Sequence, residues 1–196
     1  MTALPPIKTV KKRYSFEEYL KKEEKSVSKH EFLNGIIRPM AGGTLKHNKI
    51  ALQVGAALLD LINESNQNLD VCNSDMKIFI PSANHGVYPD AVVVCEVPEY
   101  WNGRNDVILN PLLIVEVLSS STEKYDRTDK FMEYKTIPSF KEYVLIKQDS
   151  PYVESMYREE PSLWRETIVT DLDESIFLAS IGGAIALKKI YRNINF

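Results

Sequence analysis

The sequence predicts an α/β fold, a mixed sheet flanked by helices, on three observations. Two stretches, DAVVVCEV at 90–97 and PLLIVEVLS at 111–119, are apolar without alternation, which is typical of central strands covered on both faces. The stretch at 47–65 repeats its apolar residues at helical spacing. A second stretch of helical period, at 120–138, precedes another apolar strand. This order of helix, strands, helix and strand predicts a sheet that lies between helices.

Local signals define the elements at the start of the chain. Ser15, with Glu18 three residues later, forms a capping-box pattern that predicts the start of a short helix. Asn34 and Gly35 lie between two apolar runs, and this pair predicts a tight β-hairpin. The helix at 47–65 is apolar on nearly all sides, so we expect it to be buried against the sheet rather than to lie on the surface.

Further strands and a closing helix are predicted in the rest of the chain. VCNSDMKIFIP at 71–81 predicts a strand before the two central ones, and FKEYVLIKQ at 140–148 predicts a buried strand after the second helix. YVESMYRE at 152–159 and LWRETIVT at 163–170 are typical of more exposed antiparallel strands. GGAIALKKIYRN at 182–193 predicts a short closing helix.

Composition limits the possible functions. With 196 residues, of which 44% are hydrophobic, we expect a flexible N-terminal arm at 1–12 and a single domain at 13–196. The net charge of −3 argues against a protein that coats nucleic acid without selectivity. Cys72 and Cys95 are far apart, so we expect free thiols, a cytoplasmic location and no zinc site. No apolar run approaches the length that spans a bilayer, so no membrane association is expected.

An acid, Glu116, interrupts the apolar strand at 111–119. A buried carboxylate is costly unless a positive group neutralises it. Asp90, after Pro89, opens the preceding strand, and adjacent strands lie about 4.7–4.9 Å apart, so we expect the two carboxylates to meet at one end of the sheet. Close carboxylates repel each other, and a bound Mg²⁺ or Mn²⁺ would remove the repulsion. Alternatively, Glu116 pairs with a core lysine or arginine, and Asp90 caps a turn.

The order of these residues resembles a known nuclease superfamily. Pro89-Asp90 followed by Glu116 resembles the PD-(D/E)XK signature of restriction endonucleases and many repair nucleases. Over about residues 13 to 190, the chain more closely resembles the Uma-type branch of that superfamily. The resemblance lies in three blocks: KHEFLNGIIRPMAGGTLKHNKIALQVGAAL, YPDAVVV and NPLLIVEVLSSSTEKYDRTDKFMEYKTIPSFKEYVLI. The resemblance implies a restriction-endonuclease-like core with an N-terminal hairpin and extra antiparallel C-terminal strands.

The resemblance also implies a metal-dependent endonuclease that hydrolyses phosphodiester bonds in DNA. Asp90, Glu116 and the carbonyl of Val117 would hold Mg²⁺ or Mn²⁺. Where the superfamily has a lysine two residues after the glutamate, this chain has Leu118, and the resemblance assigns that role to Lys130. The ordinary alternative for Lys130 is a solvated position on the helix.

Further side chains are candidates for the site. Lys124, which we place in the loop before the helix, is a second candidate for the missing lysine. His47 would hold a phosphate or a water molecule, or else cap its helix or fill the core. Glu31 would be a further metal-facing acid, or else an ordinary exposed strand residue. Asp126 is expected to order the start of the helix together with Arg127. Basic residues near the site are candidates for phosphate contacts: Lys46, Lys49, Lys124, Arg127 and Lys135.

Two other functions stay open on the sequence. A catalytically silent member of the same fold would bind nucleic acid or a protein partner, and a related hydrolase would act on RNA or on a small phosphodiester. The resemblance also implies a homodimer, because superfamily nucleases that cut both strands are often dimers. Tyr100 and Trp101 form a candidate interface, unless they pack on their own loop.

Overall fold

The computed structural model describes residues 12–120 and 122–196, so the predicted arm lies outside the described residues apart from Lys12. The strands, in chain order, are β1 (His30–Leu33), β2 (Ile36–Pro39), β3 (Asp70–Asn73), β4 (Lys77–Ile80), β5 (His85–Val87), β6 (Ala91–Val94), β7 (Val107–Ile108), β8 (Pro111–Leu118), β9 (Glu142–Lys147), β10 (Val153–Glu160), β11 (Leu163–Val169), β12 (Ser175–Leu178) and β13 (Gly183–Ala186). The helices are α1 (Phe16–Glu23), α2 (Leu45–Ser65), α3 (Glu123–Tyr125), α4 (Phe131–Tyr134) and α5 (Leu187–Ile190). A π-helical turn at Asp126–Lys130 joins α3 to α4, and a 3₁₀ turn lies at Trp101–Gly103.

The strands form two mixed sheets and a hairpin. The six-stranded sheet has the order β11-β10-β9-β8-β6-β3, in which β8 and β9 are parallel and the other neighbours are antiparallel. The five-stranded sheet has the order β2-β1-β5-β4-β7, in which β4 and β7 form the parallel pair. β12 pairs with β13. The predicted class, a mixed sheet flanked by helices with extra antiparallel C-terminal strands, is confirmed.

Helices and the smaller sheet cover the two faces of the six-stranded sheet. On one face, α2 packs against alternate residues of β6 and β8 through Ile50, Val54 and Leu58. α5 and the β12–β13 hairpin contribute to the same cluster. On the other face, α4 and strands β4 and β5 pack against the intervening residues, such as Ile114. β6 is buried along its length and β8 almost entirely, which confirms both as strands covered on two faces.

The N-terminal elements form as their local signals predict. The Ser15 hydroxyl accepts a hydrogen bond from the Glu18 backbone N–H, and the Glu18 carboxylate accepts one from the Ser15 N–H, which confirms the capping box of α1. Asn34 and Gly35 have positive φ angles of 45° and 90° between β1 and β2. A two-residue turn with these angles matches the twist of the two strands, and the N-terminal hairpin is confirmed.

Helix α2 is less buried than its composition predicts. It begins two residues before the predicted start, because the Thr44 hydroxyl caps it by accepting a hydrogen bond of 3.1 Å from the His47 backbone N–H. One face packs on the sheet, whereas Leu52, on the opposite face, is 75% exposed. The prediction that α2 packs against the sheet is confirmed, but the prediction that it does not lie on the surface is wrong, because its outer face is open to solvent.

Two strand and helix predictions need correction. The stretch at 71–81 forms β3 and β4, which belong to different sheets. The Asn73 side chain accepts a hydrogen bond of 2.9 Å from the Asp75 backbone N–H, and the turn it makes separates the two strands. The stretch at 182–193 is helical only in α5, because β13 precedes the helix and pairs with β12.

Of the two candidate interface residues, Tyr100 is exposed and Trp101 is partly buried. Tyr100 is 40% exposed. Trp101 packs edge-on against the ring of Phe16 of α1, at 5.0 Å between ring centroids, and contributes to the aromatic cluster between α1 and the five-stranded sheet. Trp101 therefore packs inside its own chain, which supports the alternative given for this pair.

Candidate active site

Glu116 lies inside the fold, on a strand whose other residues are apolar. It belongs to β8, and its side chain is 7% exposed. Ile114 and Leu118, two residues before and after it on the same face of the strand, pack in the cluster that includes α4. A carboxylate buried in this way needs a positive partner from the elements that cover it.

The partner of Glu116 is Lys130. The ammonium nitrogen Nζ of Lys130 lies 2.6 Å from Oε1 of Glu116, and the lysine side chain is 6% exposed. The same Nζ lies 3.4 Å from Oδ1 of Asp126. The Tyr134 hydroxyl donates a hydrogen bond of 3.2 Å to Oε1 of Glu116. The buried lysine thus lies between two carboxylates, and one oxygen of Glu116 contacts both Lys130 and Tyr134.

An irregular helical turn brings Lys130 to this position. Asp126–Lys130 form a π-helical turn between α3 and α4, and turns of this kind are rare and frequent at functional sites. Asp126 and Lys130 are the buried residues of the turn, whereas Thr128 and Asp129 are exposed. From β9, the Tyr143 hydroxyl donates a hydrogen bond of 3.2 Å to the Asp126 carbonyl. The turn therefore directs an acid and a lysine towards β8.

Burial and neighbouring charges change the proton affinities in this cluster. Burial raises the pKa of Glu116 well above its ordinary value; Asp126 and Asp90 raise it further, and Lys130 opposes them. Burial alone would lower the pKa of Lys130, but the charges of Glu116 and Asp126 outweigh it and raise this pKa. Burial also raises the pKa of Tyr134. Lys130 and Tyr134 therefore keep their protons and act as donors.

Asp90 lies directly before β6, against the edge of β8. Its backbone N–H donates a hydrogen bond of 3.1 Å to the Val115 carbonyl, and its Oδ2 accepts one of 2.7 Å from the Val117 N–H. Nε2 of His47, in the first turn of α2, lies 3.2 Å from the same Oδ2. The contact with Asp90 raises the pKa of His47 against the effect of burial, and the Val117 backbone acts in the same direction. The His47 ring therefore contacts the Asp90 carboxylate, which in turn accepts the hydrogen bond of the Val117 N–H.

The predicted acids come together at one end of β8. Asp90 accepts a hydrogen bond from the residue after Glu116, and its charge contributes to the raised pKa of Glu116. Asp90, Glu116, Lys130 and His47 are thus joined by direct contacts at this end of β8. Glu31 of β1 is linked to them through its charge, which contributes to the raised pKa of Lys130.

The oxygen atoms at this end of β8 suit a hard divalent cation. Oδ1 of Asp90 and Oε2 of Glu116 accept no hydrogen bond from the described residues. Val117 places its backbone beside Asp90, and carboxylate and carbonyl oxygens are the donors that Mg²⁺ prefers. Within 12–120 and 122–196, no three His, Cys, Asp or Glu side chains are grouped closely enough to hold a metal by themselves. A cation here would need the Val117 carbonyl and water as additional ligands.

A buried hydroxyl near Glu31 also points to a bound molecule. The Tyr125 hydroxyl is buried and has no hydrogen-bond partner among the described residues. Burial raises its pKa, and the charges of Glu133 and Glu31 act in the same direction. Because buried polar groups are almost always hydrogen-bonded, water or a ligand is expected at this hydroxyl.

Some side chains of the site were not assigned from the sequence. Asp126 was expected only to order the helix start, but it is 3% exposed and also contacts Lys130. Tyr134 and Tyr143 were not singled out. The spacing of four from Asp126 to Lys130 and again to Tyr134 is a signal for one helix face and could have identified both neighbours of the lysine.

Three of the basic candidates are engaged within the chain. Arg127 contacts the carboxylates of Glu123 and Glu154. Nζ of Lys135 lies 4.1 Å from the centre of the Phe131 ring. Lys49 donates a hydrogen bond of 3.4 Å to the Asn193 carbonyl.

Lys46 and Lys124 have no ion-pair partner among the described residues, which leaves them available for phosphate groups. Lys124 lies in α3 rather than in the loop where we placed it, and it is exposed. The lysine in contact with Glu116 is Lys130.

Comparisons with known proteins agree with this fold. Residues 16–187 match the family described as "Uma2: Putative restriction endonuclease". Two proteins of Synechocystis are similar over most of their length. "Uncharacterized protein sll1609" is 35% identical over 147 residues, which cover 75% of this chain and 82% of that protein. "Uncharacterized protein slr1290" is 32% identical over 184 residues, which cover 94% of each.

A solved structure has the same fold. It is the crystal structure of "a putative nuclease belonging to DUF820" from Anabaena variabilis, and the TM-score is 0.71. The match covers 91% of this chain and 97% of that chain at 16% sequence identity. Among the described residues of this chain, no helix has the length and apolar character needed to cross a membrane.

Proposed function

The chain belongs to the Uma2 family of restriction-endonuclease-like proteins, and we propose that it is a metal-dependent nuclease that hydrolyses phosphodiester bonds in DNA. The observation that carries the proposal is the buried contact between Lys130 and Glu116 beside Asp90. Stability alone would not require two acids and a lysine in this position, because apolar residues of similar size often stabilise a fold at least as well. On this proposal, residues 13–196 act as one nuclease domain.

Each residue of the site has a distinct role on this proposal. Asp90, Glu116 and the Val117 carbonyl would hold Mg²⁺ or Mn²⁺. When bound, the cation supplies an acidified water molecule and stabilises negative charge on the phosphate. Lys130 keeps its proton, so it orients the attacking water by donating a hydrogen bond and offsets the charge that grows on the phosphate.

His47 and Glu31 support these groups. His47 contacts Oδ2 of Asp90, which leaves Oδ1 of that carboxylate free to turn towards the cation. Glu31 adds negative charge near Lys130 and is the further acid for a hydrated cation. The unengaged lysines, Lys46 and Lys124, would contact the phosphate backbone, which gives affinity without base specificity.

Plasmid cleavage tests the proposal directly. Supercoiled DNA is incubated with the protein across concentrations of Mg²⁺ and Mn²⁺, with EDTA as the metal-free condition. We expect Asp90→Asn and Glu116→Gln to abolish nicking and to leave the far-UV circular dichroism unchanged. Asp75→Asn is the matched control, because Asp75 lies in an exposed turn, and it should cut like the wild type. Nicking by either site variant at the wild-type rate would overturn the assignment.

A catalytically silent module that binds nucleic acid is the second candidate. It is favoured by the contacts of Lys130 with Glu116 and of His47 with Asp90, which give both acids a basic partner within the chain. Calorimetric titration with Mn²⁺ separates the two functions. Binding heat that disappears in Asp90→Asn supports the nuclease, whereas DNA binding without any metal binding supports the silent module. Parallel assays on RNA and on a small phosphodiester decide the substrate class.

A further inference from the structure

The outer face of α2 carries a row of leucines that lie open to solvent. Leu45, Leu52 and Leu59 are 72%, 75% and 48% exposed. They are seven residues apart, so they form one stripe along the helix. Single exposed leucines need no explanation, but an aligned row on a long helix is typical of a surface that packs against another helix.

The residues beside this stripe permit a close approach. Ala56 is exposed between Leu52 and Leu59. At Gly55, an added Cβ would meet no heavy atom within 4 Å, so this side of the helix is open in the described chain. One flank of α2 is covered by α5, since Gln53 donates a hydrogen bond of 2.8 Å to the Ile190 carbonyl. The open face therefore holds the leucine stripe and Ala56, together with the exposed polar residues Asn48, Lys49, Asp60 and Asn63.

The charges of α2 favour a second, antiparallel copy of the same helix. Lys46 and Lys49 lie near its start, and Asp60 and Glu64 lie near its end, without acids in the first turn or bases in the last. Asp60 also contacts Lys189 of α5 at 2.6 Å, so Glu64 is the acid at this end without an ion-pair partner among the described residues. This distribution opposes the dipole of a single helix. Two antiparallel copies bring the basic start of one helix beside the acidic end of the other, which compensates both, whereas a parallel pair would place like charges together.

We propose that two copies of this chain form a homodimer through α2, antiparallel about a twofold axis at Leu52. Leu45 of one copy would pack against Leu59 of the other. Such a contact uses the same surface on both copies and closes the assembly at two. His47 lies five residues from Leu52, so the two candidate sites would be held about 15 Å apart along the helix axis, at 1.5 Å per residue. The dimer does not depend on the proposed nuclease activity.

Sedimentation in the absence of nucleic acid tests the dimer. We expect the wild type to sediment as a dimer that dissociates on dilution, and Leu52→Asp to sediment as a folded monomer. Leu163→Asp is the matched control, since Leu163 is 49% exposed on β11, and it should stay dimeric. A wild type that is monomeric at every concentration, or a Leu52→Asp variant that stays dimeric, would overturn the proposal.

Disulfide trapping tests the orientation. In a background with Cys72→Ser and Cys95→Ser, oxidised Leu52→Cys should cross-link to itself, because the twofold axis brings the two Cα atoms together. Leu45→Cys should not cross-link to itself, but it should do so when mixed with Leu59→Cys. Self-linking of Leu45→Cys would indicate a parallel pair and contradict the proposed arrangement.

Discussion

Nζ of Lys130 lies 2.6 Å from Oε1 of Glu116, although the two residues belong to different elements. The PD-(D/E)XK pattern places its lysine two residues after the glutamate on the same strand, where this chain has Leu118. Here a π-helical turn packed against β8 brings the lysine to the carboxylate instead. A lysine therefore contacts Glu116 in this chain although the residue two positions after the glutamate is a leucine.

Replacing Lys130 should remove both activity and stability. Lys130→Met leaves the buried Glu116 without its cation, and loss of one partner from a buried ion pair costs about 3–5 kcal/mol. We expect no plasmid nicking and a corresponding fall in the free energy of unfolding, measured in urea. Lys141→Met, at an exposed position before β9, is the control. Wild-type cleavage by Lys130→Met would exclude this lysine from the reaction.

Stability and activity should separate in a double variant. Lys130→Met combined with Glu116→Gln removes both charges of the closest pair, so Glu116 is no longer an unpaired ion, and Asp126 is the acid that stays without its lysine. Replacing a whole buried pair is often neutral in stability. We therefore expect the double variant to recover part of the stability that Lys130→Met loses and to stay inactive. A double variant no more stable than Lys130→Met would show that the ion pair is not the source of the loss.

The Tyr134 hydroxyl should act by holding Glu116 in position. Tyr134→Phe deletes a hydrogen bond to a buried carboxylate, which costs about 1.5–3 kcal/mol. Groups that position a metal ligand typically change metal affinity or activity by about 10–100-fold. We expect the Mn²⁺ concentration for half-maximal cleavage to rise, as measured by metal titration. Tyr157→Phe on β10 is the control, and an unchanged metal requirement in Tyr134→Phe would limit Tyr134 to a packing role.

The sequence predicted those features that depend on neighbouring residues. The Ser15 cap, the Asn34-Gly35 turn and the strands β6 and β8 each follow from a local pattern, and all three are confirmed. The stretch at 71–81 was misassigned because an apolar run does not reveal to which sheet a strand belongs. The burial of Asp126 depends on a π-helical turn, which has no signal in the apolar period.

The lysines that contact DNA should be those without a partner in the chain. Each phosphate contact contributes about 0.9 to the slope of log K against log salt for duplex DNA. We expect Lys124→Gln to weaken binding and to lower this slope by about one contact, measured by fluorescence anisotropy with Ca²⁺ in place of Mg²⁺. Lys135→Gln should leave the slope unchanged, because Lys135 stacks on Phe131 and Trp164. The opposite result would mean that Lys135 rather than Lys124 contacts the phosphates.

We expect Lys77 to make the free energy of unfolding vary with pH in the alkaline range. Its side chain is 5% exposed, and Nζ lies 3.6 Å from Asp106. Both oxygens of that acid accept hydrogen bonds from Arg104, at 2.7 and 2.9 Å. Burial lowers the pKa of Lys77 below 10.5, and Asp106 only partly opposes this effect. At pH 7 the folded state therefore holds a poorly solvated charge, and Lys77→Met should raise the free energy of unfolding.

The sign of the pH effect follows from proton binding. Between the folded pKa and 10.5, the folded lysine has lost a proton that the unfolded chain still holds, so wild-type stability rises with pH. The advantage of Lys77→Met should therefore be largest at pH 7 and shrink towards pH 10, as measured by urea unfolding. Lys188→Met, at a side chain that is 68% exposed, should show no such trend. A difference that stays constant with pH would mean that Lys77 keeps its proton in the fold as easily as in water.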